Sequence, residues 1–409
     1  MARTAIVDAT LLDGSRADVL LDGDQVLAVG PGAGSGVADR VEAEGGLLLP
    51  AYIDTHIHLD KVLIRHQLAE HDGTLRGAID SIHAAKRAYT QDDVRRRARA
   101  VIESSVLSGT TRLRSHVDVD TIGGLVPLEG VLAAARDCVA IAEVQTIAFP
   151  QEGILRDPGT AELMVAAMQA GASVVGGMPH WERTEGEQRE HVRVCFELAA
   201  RFNADIDMHV DETDDGSVRT LAMVVAETER AGWQGRVTVG HVCSLAAADD
   251  DYAEEVISGC ARAGITVVAN PVTNLVIQGR GDRGLIRRGT TRVRELMAAG
   301  VNVAFGQDCV QDGFYPFGRG DMLEVALISA HAAHLATADE QLAALHAVTT
   351  APAKAWHLDD YGVAVGARAD LQLYAAKTWS EVLRLQDPPL AVWSRGRQVA
   401  RTTITRELC

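Results

Sequence analysis

Between residues 47 and 308 the chain changes period eight times, and this alternation constrains its fold more than any other feature. Apolar strand-like runs lie around Leu47–His58, Thr110–Asp118, Val139–Phe149, Ala172–His180, Asp205–Glu212, Val237–His241, Ile265–Pro271 and Val301–Asp308. Amphipathic helical stretches separate them, among them Thr90–Leu107, Glu187–Phe202, Ser217–Ala231, Ala253–Ala263 and Thr291–Ala299, several ending in Ala-Gly or Ser-Gly as a helix C-terminus does. Eight strands alternating with helices predict a parallel (β/α)₈ TIM barrel rather than an open doubly wound sheet. The length of 409 residues fits such a barrel with a smaller accessory domain. The material for that domain is at both ends. Residues 4–48 read as short strands joined by Asp13-Gly14 and Asp22-Gly23 turns, and Ala369–Tyr374, Ala391–Ser394 and Gln398–Ile404 repeat the pattern. A small β-sandwich built from residues 1–48 and 363–409, flanking a barrel of 49–362, is the expected organisation.

A parallel barrel assembles its active site at the C-terminal ends of its strands, and polar residues collect there. His56 and His58 close the first run in Asp54-Thr-His-Ile-His-Leu-Asp60; His209 and Glu212 close the fifth, His241 the sixth and Asp308 the eighth. In a strand, alternate side chains share a face, so His56 and His58 can present two imidazoles to one cation. An isolated H-x-H is more often a hydrogen-bonded pair at a strand end, and the further histidines and carboxylate shift that balance. Three imidazoles and a carboxylate suit Zn²⁺ or Fe²⁺ with a coordination position left for water. One divalent metal ion per chain is expected, since the fourth run, Ala172–His180, has no lysine to bridge a second. His180 reads as a structural hydrogen-bonding residue, with a place near the site as the alternative, and His116 and Asp118 either buttress the site or touch substrate. His66, His71, His83, His191, His331, His334, His346 and His357 fall in helical or loop segments and read as ordinary surface or packing residues.

Composition narrows the partners. With 39 Lys+Arg against 56 Asp+Glu, a net charge of −17 repels phosphate backbones and anionic lipid, so no nucleic-acid polymer and no membrane are expected. No apolar window approaches the roughly 18 residues of a membrane span. The six cysteines lack C-x-x-C spacing and read as reduced thiols, which with the absence of a leader implies a cytoplasmic location.

The phrases HIHLDK at His56, HVDVD at His116, AFPQEGIL at Ala148, MPHWE at Met178, DMHVDETDD at Asp207, VVANPVTNLVIQGRGD at Val267 and FGQDCVQDGFYPFGRGDML at Phe305 resemble the metal-dependent amidohydrolase superfamily, and within it bacterial cytosine deaminases, over nearly the whole barrel. The P-C-x-x-C thiolates of other nucleobase deaminases are absent. The resemblance implies that His56, His58, His209 and Asp308 hold the metal, which brings the pKa of a water from about 15.7 towards 7. It implies that Glu212 shuttles protons, that His241 and Asp308 orient the attacking water, and that Gln151 reads the N–H/C=O edge of a pyrimidine-like small molecule. Phe314 would supply an aromatic face, Leu75 would close over the ring, and a homo-oligomer is expected. The expected reaction is hydrolytic deamination of cytosine.

Three positions depart from the cytosine deaminase pattern. Gln307 replaces a histidine, Cys309 an aspartate and Phe314 a tryptophan. In the resembling family the residue after the metal-binding aspartate faces the pyrimidine edge remote from the water. A thiol there in place of a hydrated carboxylate leaves an apolar niche for a 5-methyl group, so acceptance of 5-methylcytosine, giving thymine, is expected; plain packing of Cys309 is the alternative. Alternative substrates are other cyclic amidines such as an N-substituted aminotriazine, isocytosine or creatinine. A non-catalytic scaffold would have no need of six chemically equipped residues at the strand ends.

Overall fold

The structure, a computed structural model, describes residues 3–68 and 75–408. Its centre is an eight-stranded sheet in sequence order: Tyr52–Ile57, Thr110–Asp118, Glu143–Phe149, Val174–Gly177, Asp205–Val210, Val237–His241, Thr266–Ala269 and Asn302–Phe305. Each strand runs parallel to the next. The barrel closes by a parallel bridge between Ile57 and Asp308, where Asp308 N–H donates to His56 O at 2.6 Å and His58 N–H to Asp308 O at 3.1 Å. Closure itself therefore brings the eighth-strand aspartate against the H-x-H segment.

The second and sixth strands are buried along their whole length and the fifth in all but its first residue, as parallel strands covered by helices must be. Helices between them are stopped by their own local chemistry. Thr90, Thr184 and Asp249 accept the backbone N–H three residues on at the starts of Gln91–Leu107, Glu185–Phe202 and Asp250–Ala263. Gly232 and Gly264, left-handed at φ 72° and 61°, end Thr220–Ala231 and Asp250–Ala263.

Several elements differ from the sequence reading. The run Leu47–His58 is two strands, not one: Leu48–Pro50 pairs antiparallel with Leu371–Leu373 outside the barrel, and the barrel strand starts at Tyr52. The third strand starts at Glu143, because the helix Val126–Cys138 runs up to the turn that occupies Val139–Ala142. The fourth is only Val174–Gly177, because Pro179 has no N–H for the ladder and opens a 3₁₀ turn.

The chain ends form two four-stranded sheets. Thr4–Thr10, Arg16–Asp22, Gln25–Gly30 and Asp39–Glu42 make one; Leu371–Leu373, Ala391–Ser394 and Arg397–Arg401 join Leu48–Pro50 in the other. Ile6, Val19, Leu21 and Val26 of the first pack with Leu48, Leu371, Leu373 and Trp393 of the second in one buried cluster. A helix in the tail, Trp379–Leu385 capped by Thr378, has no counterpart in the sequence reading. Among the described residues no helix is long and apolar enough to cross a membrane.

Candidate active site

His56 and His58 leave the first strand, and both are buried. His58 Nε2 is 3.1 Å from His209 Nε2 and 3.3 Å from Asp308 Oδ1; His56 Nε2 is 3.7 Å from the same oxygen. Ligand atoms of His56, His209, His241 and Asp308 lie within 4.8 Å of one another. Three of the expected ligands, His56, His209 and Asp308, fall in this group; His241 stands in it where His58 was expected, and His58 adjoins it through His209 and Asp308. Both ring nitrogens of His56, and Nδ1 of His58 and of His209, are buried without a hydrogen-bond partner. Buried polar atoms without partners are costly, and a shared cation would satisfy several of them at once. Burial, reinforced by neighbouring histidines, holds His56 and His209 well below the ordinary imidazole range, and burial with Lys61 nearby brings His58 down to about 3. Burial alone would raise Asp308, yet contact with His58 and the proximity of His241 hold it below the usual carboxylate range. Neutral imidazoles around an ionised carboxylate are the protonation states that a divalent metal requires. These residues fit such an ion.

Beside this group lies a titratable carboxylate with its own polar support. Glu212 Oε1 is 3.1 Å from His241 Nδ1 and accepts from Asn274 Nδ2 at 3.0 Å; Asn274 Oδ1 lies 3.1 Å from His241 Nδ1. Burial, with Asp308 close by, raises Glu212 above the ordinary glutamate value, the direction that suits a group giving and taking protons near neutrality. Backbone geometry aims these side chains. His241, Val242 and Asp308 sit at φ 70°, 52° and 63°, a region that is strained for residues other than glycine and strongly so for β-branched Val242. Asp211, also left-handed at φ 52°, accepts the N–H of Thr220 and Leu221, tying the turn that carries Glu212 to the next helix. Beneath the group His116 packs 4.2 Å from His56 and 4.5 Å from His209 between ring centres, with Nε2 3.5 Å from buried Asp207. His116 is buried beneath the group and is not part of the cleft wall.

The group opens into a cleft of about 710 Å³ whose walls include Lys61, Gln151, Met178, His180, Trp181, Glu212, Cys309 and Phe314. Gln151, Cys309 and Phe314 therefore face one space, as expected from the sequence. The side chain of Leu75, like His71 and Cys409, lies outside the described residues. Cys309 is buried with Sγ 3.6 Å from Asp308 Oδ1, and burial plus the Asp308 and Asp312 carboxylates push its thiol far up, so it is uncharged. Gln307 instead braces the loop, accepting from Gly320 N–H and donating to Cys309 O. His180, read as structural, lines the cleft with Nδ1 unpartnered.

Of the histidines expected as surface or packing residues, His191 packs in the interior and His83 reaches the cleft. His83 lies 2.7 Å from Glu152 at the cleft wall. Fully buried His191 bonds Glu182 through Nδ1 at 2.7 Å and accepts Met178 N–H at 2.8 Å. Glu182 in turn accepts the backbone N–H of Ile154, Leu155 and Arg156, fixing the loop that begins at Gln151. The sequence reading also passed over Lys61, Lys86 and Asn274. Lys61 Nζ donates to Asp118 at 2.8 Å and to Gln151 Oε1 at 2.6 Å, and Lys86 bridges Asp118 and Asp120 at 2.5 and 2.6 Å. Lys61 and Asn274 stand inside the HIHLDK and VVANPVTNLVIQGRGD phrases, which were the available signal.

Comparison with known proteins agrees with this geometry. The amidohydrolase family model matches residues 63–400. Pterin deaminase of Rhizobium rhizogenes (strain K84) is 34% identical over 396 residues, covering 95% of this chain and 88% of that protein. N-isopropylammelide isopropyl amidohydrolase of Pseudomonas sp. (strain ADP) is 27% identical over 397 residues, covering 95% and 94%. Among solved structures, 5-methylcytosine deaminase from Klebsiella pneumoniae liganded with 5-fluorocytosine superposes with a TM-score of 0.94 at 32% identity, covering 99% of each chain.

Proposed function

This chain belongs to the amidohydrolase family, and on that premise we propose that it deaminates cytosine and 5-methylcytosine to uracil and thymine. It is a metal-dependent hydrolase acting on C–N bonds of cyclic substrates. Uncharged Cys309, buried beside Asp308 in the cleft wall, carries the finer reading. A methyl group at ring position 5 meets a small apolar thiol there, in place of the hydrated carboxylate expected in cytosine deaminases.

In this reading His56, His58, His209 and Asp308 would hold one Zn²⁺ or Fe²⁺. The bound ion supplies a water activated at neutral pH. Glu212 takes a proton as that water adds to C4 and delivers it to the adjacent ring nitrogen. It then takes up the remaining proton of that water's oxygen and passes it to the exocyclic nitrogen, the C4–N bond breaks, and ammonia leaves the 4-oxo product. His241, hydrogen-bonded within the Glu212–Asn274 group, keeps the attacking water aimed at C4. Gln151 binds the pyrimidine edge and Phe314 covers its face.

A second reading is a pterin-like bicycle. The cleft, at about 710 Å³, has room for a ring system larger than a single pyrimidine, and pterin deaminase is among the relatives. An ammonia-release screen of the metal-loaded protein against cytosine, 5-methylcytosine, isocytosine, creatinine, aminotriazines and pterin tests both. Release from cytosine and 5-methylcytosine is the expected result; silence on both, with turnover of another ring, would replace this reading.

A further inference from the structure

We propose that Lys61 makes the Gln151 end of the cleft a corner of hydrogen-bond donors, so that the enzyme selects rings presenting a carbonyl there and rejects rings presenting an amino group. This rests on the deaminase reading above and deepens it. An ammonium has donors only, so the Gln151 atom lying 2.6 Å from Lys61 Nζ must be the amide oxygen. The amide NH₂ is thereby turned the other way, where its protein partner is the Met178 sulfur at 3.4 Å, a weak acceptor. Of the three N–H bonds on Lys61, one goes to Asp118 and one to Gln151, which leaves one. Both side chains line the cleft, and Lys61 is 2% exposed. What remains for a ligand is therefore two donors, one of them charged, against a single spare lone pair on Gln151 Oε1, inside a buried wall.

The surroundings keep it so. Asp118 is held from its other side by Lys86, which also binds Asp120, and the body of Lys61 packs with Nζ 5.9 Å from the Phe149 ring centre. Burial would strip the proton from Lys61, but Asp118 and Asp60 outweigh it and raise the group above its ordinary value, so the donors persist at any working pH. A ligand amino group placed against them would bury donor against donor. Sites built for one hydrogen-bond polarity discriminate by large factors against the other. Lys61 is thus a positioning and specificity-determining residue, acting partly through Gln151.

The test compares ligands differing by one carbonyl-to-amino exchange in two ring classes: cytosine against 2,4-diaminopyrimidine, and pterin against 2,4-diaminopteridine. Binding is measured by calorimetry alongside ammonia release, with metal content and melting temperature recorded for each variant. The parent is expected to prefer the carbonyl member at least tenfold in whichever class it takes. Gln151→Glu keeps the shape and the Lys61 contact but offers an acceptor to the cleft, so the preference should shrink at least tenfold or invert. Lys61→Met leaves Gln151 in place but frees its amide to flip, so the preference should shrink while the better and worse ligands converge. Equal losses on both members of a pair, as a purely structural role would give, overturn the proposal, as does a parent without preference. A carbonyl preference on the pteridine pair alone supports the corner while removing the pyrimidine reading, so the two failures are separable.

Discussion

Removing the Glu182 carboxylate should dismantle the loop that presents Gln151 without touching the metal residues. Its Oε1 accepts from Ile154 N at 2.7 Å, Leu155 N at 3.0 Å and His191 Nδ1 at 2.7 Å, and its Oε2 accepts from Arg156 N at 2.8 Å. Glu182→Gln can keep its oxygen on the Oε1 side, but its NH₂ then faces the Arg156 N–H, donor against donor. Losing one hydrogen bond to a charged group costs about 1.5–3 kcal/mol. Glu182→Ala strands every one of these donors; the loop will let go before it bears the sum, capping the loss near ~4–5 kcal/mol. The melting temperature should fall by a few degrees in Gln and further in Ala. Displacing Gln151 by about 1 Å should lower kcat/KM by around 10² with metal content unchanged. The pH dependence has a definite sign. Burial opposes the charge of Glu182, but His191 and the backbone donors outweigh it and hold the group below its ordinary value of 4.5, so its stabilisation is present above that value and lost as pH falls below it. Parent and Gln variant should therefore converge in stability towards acid pH. Unchanged melting temperature and kcat/KM in Glu182→Ala would refute the reasoning.

Glu212→Gln should keep its metal, by elemental analysis, yet lose at least two orders of magnitude in kcat, because the amide preserves shape and removes the titrating proton; near-parental turnover would sink its role as proton shuttle. His209→Ala and Asp308→Ala should each lower bound metal, and full occupancy in both would discard the ligand assignment. Cys309→Asp should depress kcat/KM for 5-methylcytosine far more than for cytosine, since burying a methyl group yields about 0.8 kcal/mol that a hydrated carboxylate forfeits. An equal loss on both substrates would contradict the niche.

The histidines at the strand ends were legible because strand geometry turns spacing into direction: His56 and His58 two apart share a face, and His209, His241 and Asp308 follow apolar runs whose ends lie at one rim of the barrel. What supports them was not. Lys61 and Lys86 drew no role because a lysine is almost never buried unless paired, and their partners Asp118 and Asp120 lie far along the chain on another segment. His191 looked ordinary on its helix because the Glu182 that explains it meets it only after the chain has turned. Leu48–Pro50 merged with the barrel strand because two consecutive apolar strands have no change of period between them; only the partner, Leu371–Leu373, separates them.

That partner has a consequence for the order in which the molecule can be made. Gln372 Nε2 donates to Pro50 O across 322 residues, and Tyr374 bonds Tyr52 at the foot of the first barrel strand. Closing a loop of that length in an unfolded chain would cost about 5 kcal/mol from length alone. A chain emerging from the ribosome packs Leu48 on the N-terminal strands early, but Leu48–Pro50 has no ladder partner until Leu371–Leu373 appears, so the second sheet forms after all eight barrel strands have been made. By then the barrel has already drawn the ends together, and the loop that would have been closed is no longer loose. The tail thus acts as a latch on finished work: trimming it back before Leu371 would leave a barrel assembled around its metal residues, with an apolar strand edge left open to neighbouring chains.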